Sequence, residues 1–247
     1  MRVTEYHRLH DVEHSYWWHV GRLAIIKKQL QKLTSKGLPK NAKILNIGAG
    51  TGGTIPTLEA FGKVTNLDSS KDAIAFLKKS GYSADLAGGI SLPYKDNEFD
   101  AVVAFDVLEH IKDDSEALNE WCRVLKPNGF MVITVPAYQW LWSAHDEAMH
   151  HFRRYSRRAL KSLFDNLPVI TQKASYMIVF SFPLIAAHRI LLERDSHSFK
   201  TSFVKVPQTI NRLFIFLLSL ESKAQKWLNF PFGTSVMLIV RKNIAEN

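Results

Sequence analysis

Residues 42–70 read A-K-I-L-N-I-G-A-G-T-G-G-T-I-P-T-L-E-A-F-G-K-V-T-N-L-D-S-S, and their order decides the fold. The apolar run around Ile44, Leu45 and Ile47 suits a strand buried on both faces. It breaks into glycines at Gly48, Gly50, Gly52 and Gly53, so the strand feeds a tight turn. A helical pattern follows, with Ile55, Leu58 and Phe61 on one side and Pro56 in the first turn, where a missing N–H costs nothing. A second apolar strand, Val64 to Leu67, stops at Asp68. Glycine in such a turn lets a ligand approach bare main chain, and the helix behind it points unpaired N–H groups at the same place. An acid ending the second strand can accept both hydroxyls of a ribose. The stretch therefore reads as a nucleoside-binding βαβ unit.

Spacing alone does not name the nucleoside. Gly48, Gly50 and Gly53 satisfy the G-x-G-x-x-G of dinucleotide sites, while Gly48, Gly50 and Gly52 satisfy the G-x-G-x-G of methyl donors. Outward from this unit the chain keeps alternating. An amphipathic helix from about Glu13 to Leu33 precedes it, entered through Tyr16, Trp17 and Trp18, with Arg22 one turn on. Three large rings in a row cannot all face one core, so some are expected to cover a ligand. After Asp68 come a helix over Lys71 to Lys79, a short strand over Tyr82 to Ala87 and a buried strand over Ala101 to Phe105. Asp113 or Asp114 caps the next helix, L-K-P-N-G ends it, and Phe130 to Val135 forms another strand. A helix over Ser156 to Phe164 and strands over Val169 to Phe180 and Ser235 to Arg241 complete the pattern. Such alternation calls for a doubly wound, mainly parallel α/β sheet whose ligands bind at the carboxyl ends of the strands.

With 247 residues the chain can bury a full core. Cys122 is its single cysteine, which excludes a disulfide framework and a thiolate metal cluster and favours a reducing, cytoplasmic setting. The polar N-terminus and the lack of a long apolar run argue against a secretory leader or a membrane span. The net charge of +9 is uneven: residues 1–150 carry 17 Lys or Arg against 18 Asp or Glu, and residues 151–247 carry 15 against 5. A basic second segment can attract phosphate or an anionic membrane surface, or simply keep the chain in solution. No nucleic-acid reading module accompanies it, so nucleic acid is not the expected partner.

The series L-N-I-G-A-G-T-G, L-D-S-S, L-P-Y-K-D-N-E-F-D-A-V-V-A-F-D-V-L-E-H-I and R-V-L-K-P-N-G-F-M-V-I-T-V-P resembles the class I S-adenosylmethionine-dependent methyltransferases, in the broad group that includes ubiquinone-biosynthesis enzymes. It covers roughly residues 40 to 136 in order. The front pattern Y-W-W-x-x-G-R and the run W-S-A-H-D…H-H-F-R-R-Y-S-R look like a bacterial subgroup of uncertain substrate. The resemblance implies a seven-stranded sheet with an antiparallel last strand, an N-terminal helical lid over residues 1–40, a core over 41–180 and 233–247, and a helical insertion or cap over 181–232. It implies S-adenosylmethionine as cofactor, held by Trp18, Arg22, Gly48, Ala49, Gly50, Gly52, Asp68, Ser69, Gly89, Ile90, Phe105 and Asp106. Two positions depart from the family: Asn46 stands where an acid is usual, and Gly88 where an Asp often accepts from adenine.

A sulfonium carries an activated methyl group, so the protein has to align the acceptor and remove its proton. The loop after Pro136 supplies candidates. His145, Asp146 and His151 are the catalytic candidates, and Trp140, Trp142, Arg153, Arg154 and Tyr155 those for the acceptor. Asp106, Glu109 and His110, with His151 downstream, are similar to the E-x-x-E-H metal site of some ubiquinone-pathway and small-RNA-terminal O-methyltransferases. L-E-H also recurs in methyltransferases without metal, where its side chains hydrogen-bond structurally, and no metal is expected. The expected function is O- or N-methylation of a small-molecule or lipid- or sugar-linked acceptor. Apolar runs at Phe182 to Ala187 and Leu213 to Leu218 beside basic charge also suit contact with a membrane surface or a second subunit through 181–232. Two other readings stay open: a peripheral membrane or partner-binding protein that retains the cofactor fold, and an NAD-dependent oxidoreductase.

Overall fold

The computed structural model describes residues 10, 12–192 and 206–243, without the side chains of 188–192. Residues 193–205 of the expected cap, 244–247 of the expected core and 1–9 and 11 of the expected lid lie outside the described residues. Helix α1 (Trp17–Thr34) leads into β1 (Ala42–Ile47), α2 (Ile55–Glu59), β2 (Gly62–Asp68), α3 (Lys71–Lys79), β3 (Asp85–Leu86) and β4 (Phe99–Phe105). Then follow α4 (Asp114–Val124), β5 (Leu125–Pro136), α5 (Ala144–Ala148), α6 (Arg157–Ser162), β6 (Val169–Met177), α7 (Phe182–Leu192), α8 (Gln208–Ala224) and β7 (Ser235–Lys242).

The strands form one seven-stranded sheet in the order β3-β2-β1-β4-β5-β7-β6. The pairs among β1 to β5 are parallel, and β7 inserts antiparallel between β5 and β6. Period-two alternation divides the strand side chains between two cores. Leu45, Ile47, Val102, Ala104, Met131 and Ile133 face Leu118 and Trp121 of α4 and Leu160 of α6. Ile44, Ala101, Val103, Phe130 and Val132 face Ile25, Leu30 and Leu33 of α1 and Leu218 of α8. Burying each such large aliphatic side chain contributes about 1.5–3 kcal/mol, so both helical layers are held mainly by this packing.

Helices α1 and α8 pack on each other as well as on the sheet. The lack of a Cβ at Gly21 admits Leu218, whose Cδ1 would lie 2.1 Å from one. Asn211 Oδ1 accepts from the Trp17 N–H at 2.8 Å, and Gln29 Nε2 donates to the Gln225 carbonyl at 3.1 Å. Buried Glu221 anchors α8 to the end of β6 by accepting from the N–H groups of Ile178 (2.6 Å) and Val179 (2.8 Å).

Several boundaries differ from the sequence expectation for identifiable reasons. Helix α1 starts at Trp17 because Tyr16 is extended (φ −81°, ψ 130°), although its N–H closes a turn onto the Val12 carbonyl. Strand β6 ends at Met177 and not Phe180, since Ile178 takes φ +61° and its N–H goes to Glu221. Of Tyr82 to Ala87 only Asp85 and Leu86 pair in the sheet. Helix α6 runs from Arg157 to Ser162, with Ser156 as its cap. Strand β5 begins at Leu125, and its L-K-P-N-G segment forms an irregular step in the pairing with β4, with Asn128 at φ +64°.

Candidate active site at the carboxyl rim

Because β1, β2, β4 and β5 run in one direction, the turns leaving them meet at one edge of the sheet, where the strand order reverses between β1 and β4. The first of these turns is shaped by Gly48 (φ +72°) and Gly50 (φ +56°), in backbone conformations that side chains rarely adopt. A Cβ on Gly48 would lie 2.4 Å from Val107, whereas one on Gly50 would meet nothing nearer than 4.0 Å. Gly50 thus presents open main chain. Ala49 is buried, and a Cβ on Gly52 would press on Leu77 at 2.9 Å, so these two shape the turn from inside. Asp68 closes β2 beside the turn, accepting from the Gly50 N–H (2.8 Å) on Oδ2 and from the Ser70 N–H (2.9 Å) on Oδ1. Ser69 next to it is exposed. Beyond β3, the Gly89 carbonyl accepts from Trp121 Nε1 at 2.8 Å and Ile90 stays exposed.

The second wall comes from β4 and α1. Arg22 reaches across the rim to Asp106, Nη1 to Oδ2 at 2.9 Å, and donates to Thr134 Oγ1 at 3.3 Å. Its guanidinium stands 5.0 Å from the Trp18 ring and 6.0 Å from the Phe105 ring. Trp18, Arg22, Phe105 and Asp106, 18 to 106 in sequence, are therefore brought together. Trp17 turns into the core instead, against Phe214.

Glu13 is the residue that sequence reasoning missed. Its carboxylate accepts from Thr51 Oγ1 and occupies the space beside Gly53, 2.4 Å from where a Cβ would stand. Burial raises its pKa, against the lowering effect of the Thr51 hydrogen bond and Arg22. An acid before an aromatic run gave no signal, because it fitted a continuous helical pattern. Asn46 is explained as a structural pair: its Nδ2 donates to Asn66 Oδ1 at 3.0 Å across paired strands.

The third wall is the loop after β5. Asp146, fully buried, is the hub of this loop. Its Oδ1 meets His151 Nδ1 and Arg154 Nε, each at 2.8 Å, and its Oδ2 accepts from Arg154 Nη2 (2.8 Å) and from the N–H and hydroxyl of Ser143. Burial works to raise the Asp146 pKa, but His151 and Arg154 outweigh it and hold the carboxyl well below the usual range. A carboxylate so engaged positions its partners rather than taking a proton. His151 lies 4.5 Å from the His110 ring and 6.1 Å from the His145 ring. Glu109, entirely buried, has no hydrogen-bond partner on either carboxylate oxygen. Burial, then the nearby Asp106 charge, pushes its pKa well above the ordinary value. Desolvation and the His151 imidazole push His110 down to about 4, so that it is a neutral imidazole.

The cations and rings expected to grip an acceptor have varied surroundings. Arg153 pairs with Asp114 (2.7 Å) and donates to the Lys112 carbonyl, and Tyr155 is buried with its hydroxyl 2.9 Å from Asp114. With Arg154 on Asp146, these three residues brace the loop. Trp140 is exposed, within 5.4 Å of Tyr138 and 6.1 Å of Phe182, and Phe182 lies 5.6 Å from Phe232. These rings form an aromatic wall outside the polar cluster, while Trp142 is half-buried. Arg157 and Arg158 instead line a groove of about 490 Å³ on the outer edge of β6.

The chain is similar to known proteins in sequence and in fold. A family described as "Methyltransferase domain" matches residues 45–133. Norajmaline N-methyltransferase from Rauvolfia serpentina is 30% identical over 52% of this chain and 46% of its own length. Demethylmenaquinone methyltransferase from Lactiplantibacillus plantarum is 26% identical over 64% of this chain and 81% of its own. Of two other curated relatives the chain spans 27% and 57%. In structure, a SAM dependent methyltransferase from Archaeoglobus fulgidus superposes with a TM-score of 0.55 at 16% identity, covering 89% of this chain and 94% of that one, which shows a common fold.

Proposed function

We propose that the chain is a class I S-adenosylmethionine-dependent methyltransferase and that it methylates an oxygen or nitrogen of a small-molecule or lipid- or sugar-linked acceptor. The rim fits the cofactor of that family. Open main chain at Gly50 leaves room for the cofactor, and Asp68 keeps lone pairs free for two ribose hydroxyls. Glu13 and Arg22 place opposite charges on the two sides of the turn, which suits an amino-acid tail carrying an ammonium and a carboxylate. When bound, S-adenosylmethionine supplies a methyl group already activated by its positive sulfur.

The observation that carries the acceptor side is the convergence of Glu109, His110 and His151 on one spot beside Asp106. Asp146 on Nδ1 fixes the His151 ring and leaves Nε2 facing that spot, where it can draw the proton from an acceptor. The aromatic wall of Tyr138, Trp140 and Phe182 supports an acceptor with an apolar body. Arg22 of α1, reaching Asp106 at the rim, supports α1 as a lid, and α8, packed on α1, supports a cap.

A second reading concerns where the acceptor resides. Leu213, Phe216 and Leu220 are exposed on one face of α8, opposite buried Leu218, Glu221 and Ser222, with Arg212 and Lys223 nearby. An apolar ridge beside basic residues supports peripheral contact with anionic lipid, where a lipid-linked acceptor would be presented. No helix among the described residues is long and apolar enough to cross a membrane.

The test is transfer of label from methyl-labelled S-adenosylmethionine to lipid, sugar and quinone extracts. Label is expected in one pool, and His151→Ala should slow it by about 100-fold, the contribution of a positioned base. If the chain binds the cofactor and labels none of the pools, the partner-binding reading replaces catalysis.

A further inference from the structure

The groove of about 490 Å³ on the outer edge of β6 gathers cations that the rim chemistry leaves unused. Arg157, Arg158 and Lys161 come from α6, Lys173 from β6 and Asn229 from the turn after α8, and none of the lining side chains is acidic. Arg22, Arg153 and Arg154 each find a carboxylate, whereas among the described residues Arg157, Arg158 and Lys161 form no ion pair. Arg157 and Lys161 also stand one helical turn apart, where like charges destabilise a helix. Their placement therefore works against stability unless an anion offsets it.

The groove is held in shape from both sides. Lys173 is buried and donates to the carbonyls of Gln225 (2.7 Å) and Leu228 (2.9 Å) and to Asn229 Oδ1 (2.9 Å), which ties the turn after α8 to β6. Burial, then the charges of Lys32 and Lys36, lowers its pKa to about 8, so positive charge reaches this edge from α1 as well. The Arg157 N–H donates to the Tyr176 hydroxyl at 3.2 Å, and its guanidinium stands 5.7 Å from the Tyr176 ring, which orients the cation in advance. The groove also borders the aromatic wall. Tyr176 stacks on Tyr138 at 4.8 Å, and Tyr138 lies 5.4 Å from Trp140 and 5.6 Å from Phe182.

A volume of this size is that of an ordinary ligand site, and paired guanidinium forks match the oxygens of a phosphate. A peptide strand added to β6 fits less well. The pairing of β6 with β7 slips between Thr171 and Lys173, and an irregular edge with an inward lysine resists strand addition. We propose that Arg157, Arg158 and Lys161 bind the phosphate or diphosphate group of a ligand whose apolar body lies along Tyr138, Trp140 and Phe182. The site stands on its own geometry, and the identification of that ligand as the acceptor rests on the methyltransferase reading.

The experiment is calorimetric titration of the full chain with inorganic diphosphate and with geranyl diphosphate, which separates a free phosphate from one borne on an apolar chain. One site per chain is expected, with the prenyl form about 10-fold tighter or more. Arg157→Gln should weaken both about 10-fold, the worth of one hydrogen bond to a charged group, and Arg157→Gln/Arg158→Gln/Lys161→Gln should remove measurable binding. Lys63→Gln/Lys78→Gln/Lys79→Gln takes the same charge from exposed positions of β2 and α3 and should bind as the parent does. Trp140→Ala should cut the prenyl advantage and leave inorganic diphosphate unchanged. Melting temperatures and S-adenosylmethionine titration of each variant show that the fold and the rim persist. No saturable site in the parent, or equal losses in the two triple variants, overturns the groove as a phosphate site. Equal affinity for the two ligands, or a prenyl advantage untouched by Trp140→Ala, overturns its link to the aromatic wall. A parent chain that binds both diphosphates in the groove but neither binds S-adenosylmethionine nor transfers label refutes the methyltransferase reading and leaves the groove standing.

Discussion

Asp68→Ala is expected to weaken S-adenosylmethionine binding by about 100-fold or more. Hydrogen bonds to a charged acceptor are worth about 1.5–3 kcal/mol each, and two ribose hydroxyls depend on this one carboxylate in the proposed site. The substitution also removes the acceptor of the Gly50 and Ser70 N–H groups, so the turn itself loosens. Asp68→Asn separates the effects, since the amide keeps one oxygen for the main chain while losing the charge. Calorimetry with both variants, alongside their melting temperatures, reads this out. Affinity within about threefold of the parent in Asp68→Ala would remove the acid from the cofactor site.

The second large effect belongs to Asp146. Asp146→Ala leaves Arg154 without its carboxylate partner in a buried position, removes the partner of His151 and takes away the Asp146 half of the capping box of α5. Breaking one partner of a buried pair costs about 3–5 kcal/mol, which should appear as a lower denaturant midpoint. Activity should fall further than stability accounts for, by about 100-fold under conditions where the variant is folded, because His151 loses its orientation. Asp146→Asn should recover part of the stability through the Ser143 contacts and little of the rate. A variant that loses stability but keeps full turnover would make Asp146 purely structural.

Strands β1, β2 and β4 were legible in the sequence because each is a short apolar run punctuated by glycine or acid, and burial on both faces leaves few other readings. The last strand was read from the run Ser235 to Arg241, whereas its antiparallel insertion was reached through the resemblance alone. Glu13 was hidden because helical periodicity runs through it, and only the extended Tyr16 reveals the break that lays it on the glycine turn. The Arg22–Asp106 pair joins residues 84 apart in the chain, a contact that no local pattern encodes. In the loop after β5, composition nominated every charged group equally. Arg153 and Arg154 turn inward because Asp114 and Asp146 lie within reach, and those partners come from a different element and from the far side of a short helix. Glu109 read as a hydrogen-bonded structural residue, yet its oxygens have no partner, a fact that exists only in three dimensions.

The most direct measurement is calorimetric titration of the unmodified chain with S-adenosylmethionine and, separately, with NADH. One saturable site for the sulfonium nucleoside and no heat with the dinucleotide is the predicted result. Saturable binding of NADH with none of S-adenosylmethionine would contradict the assignment of the rim.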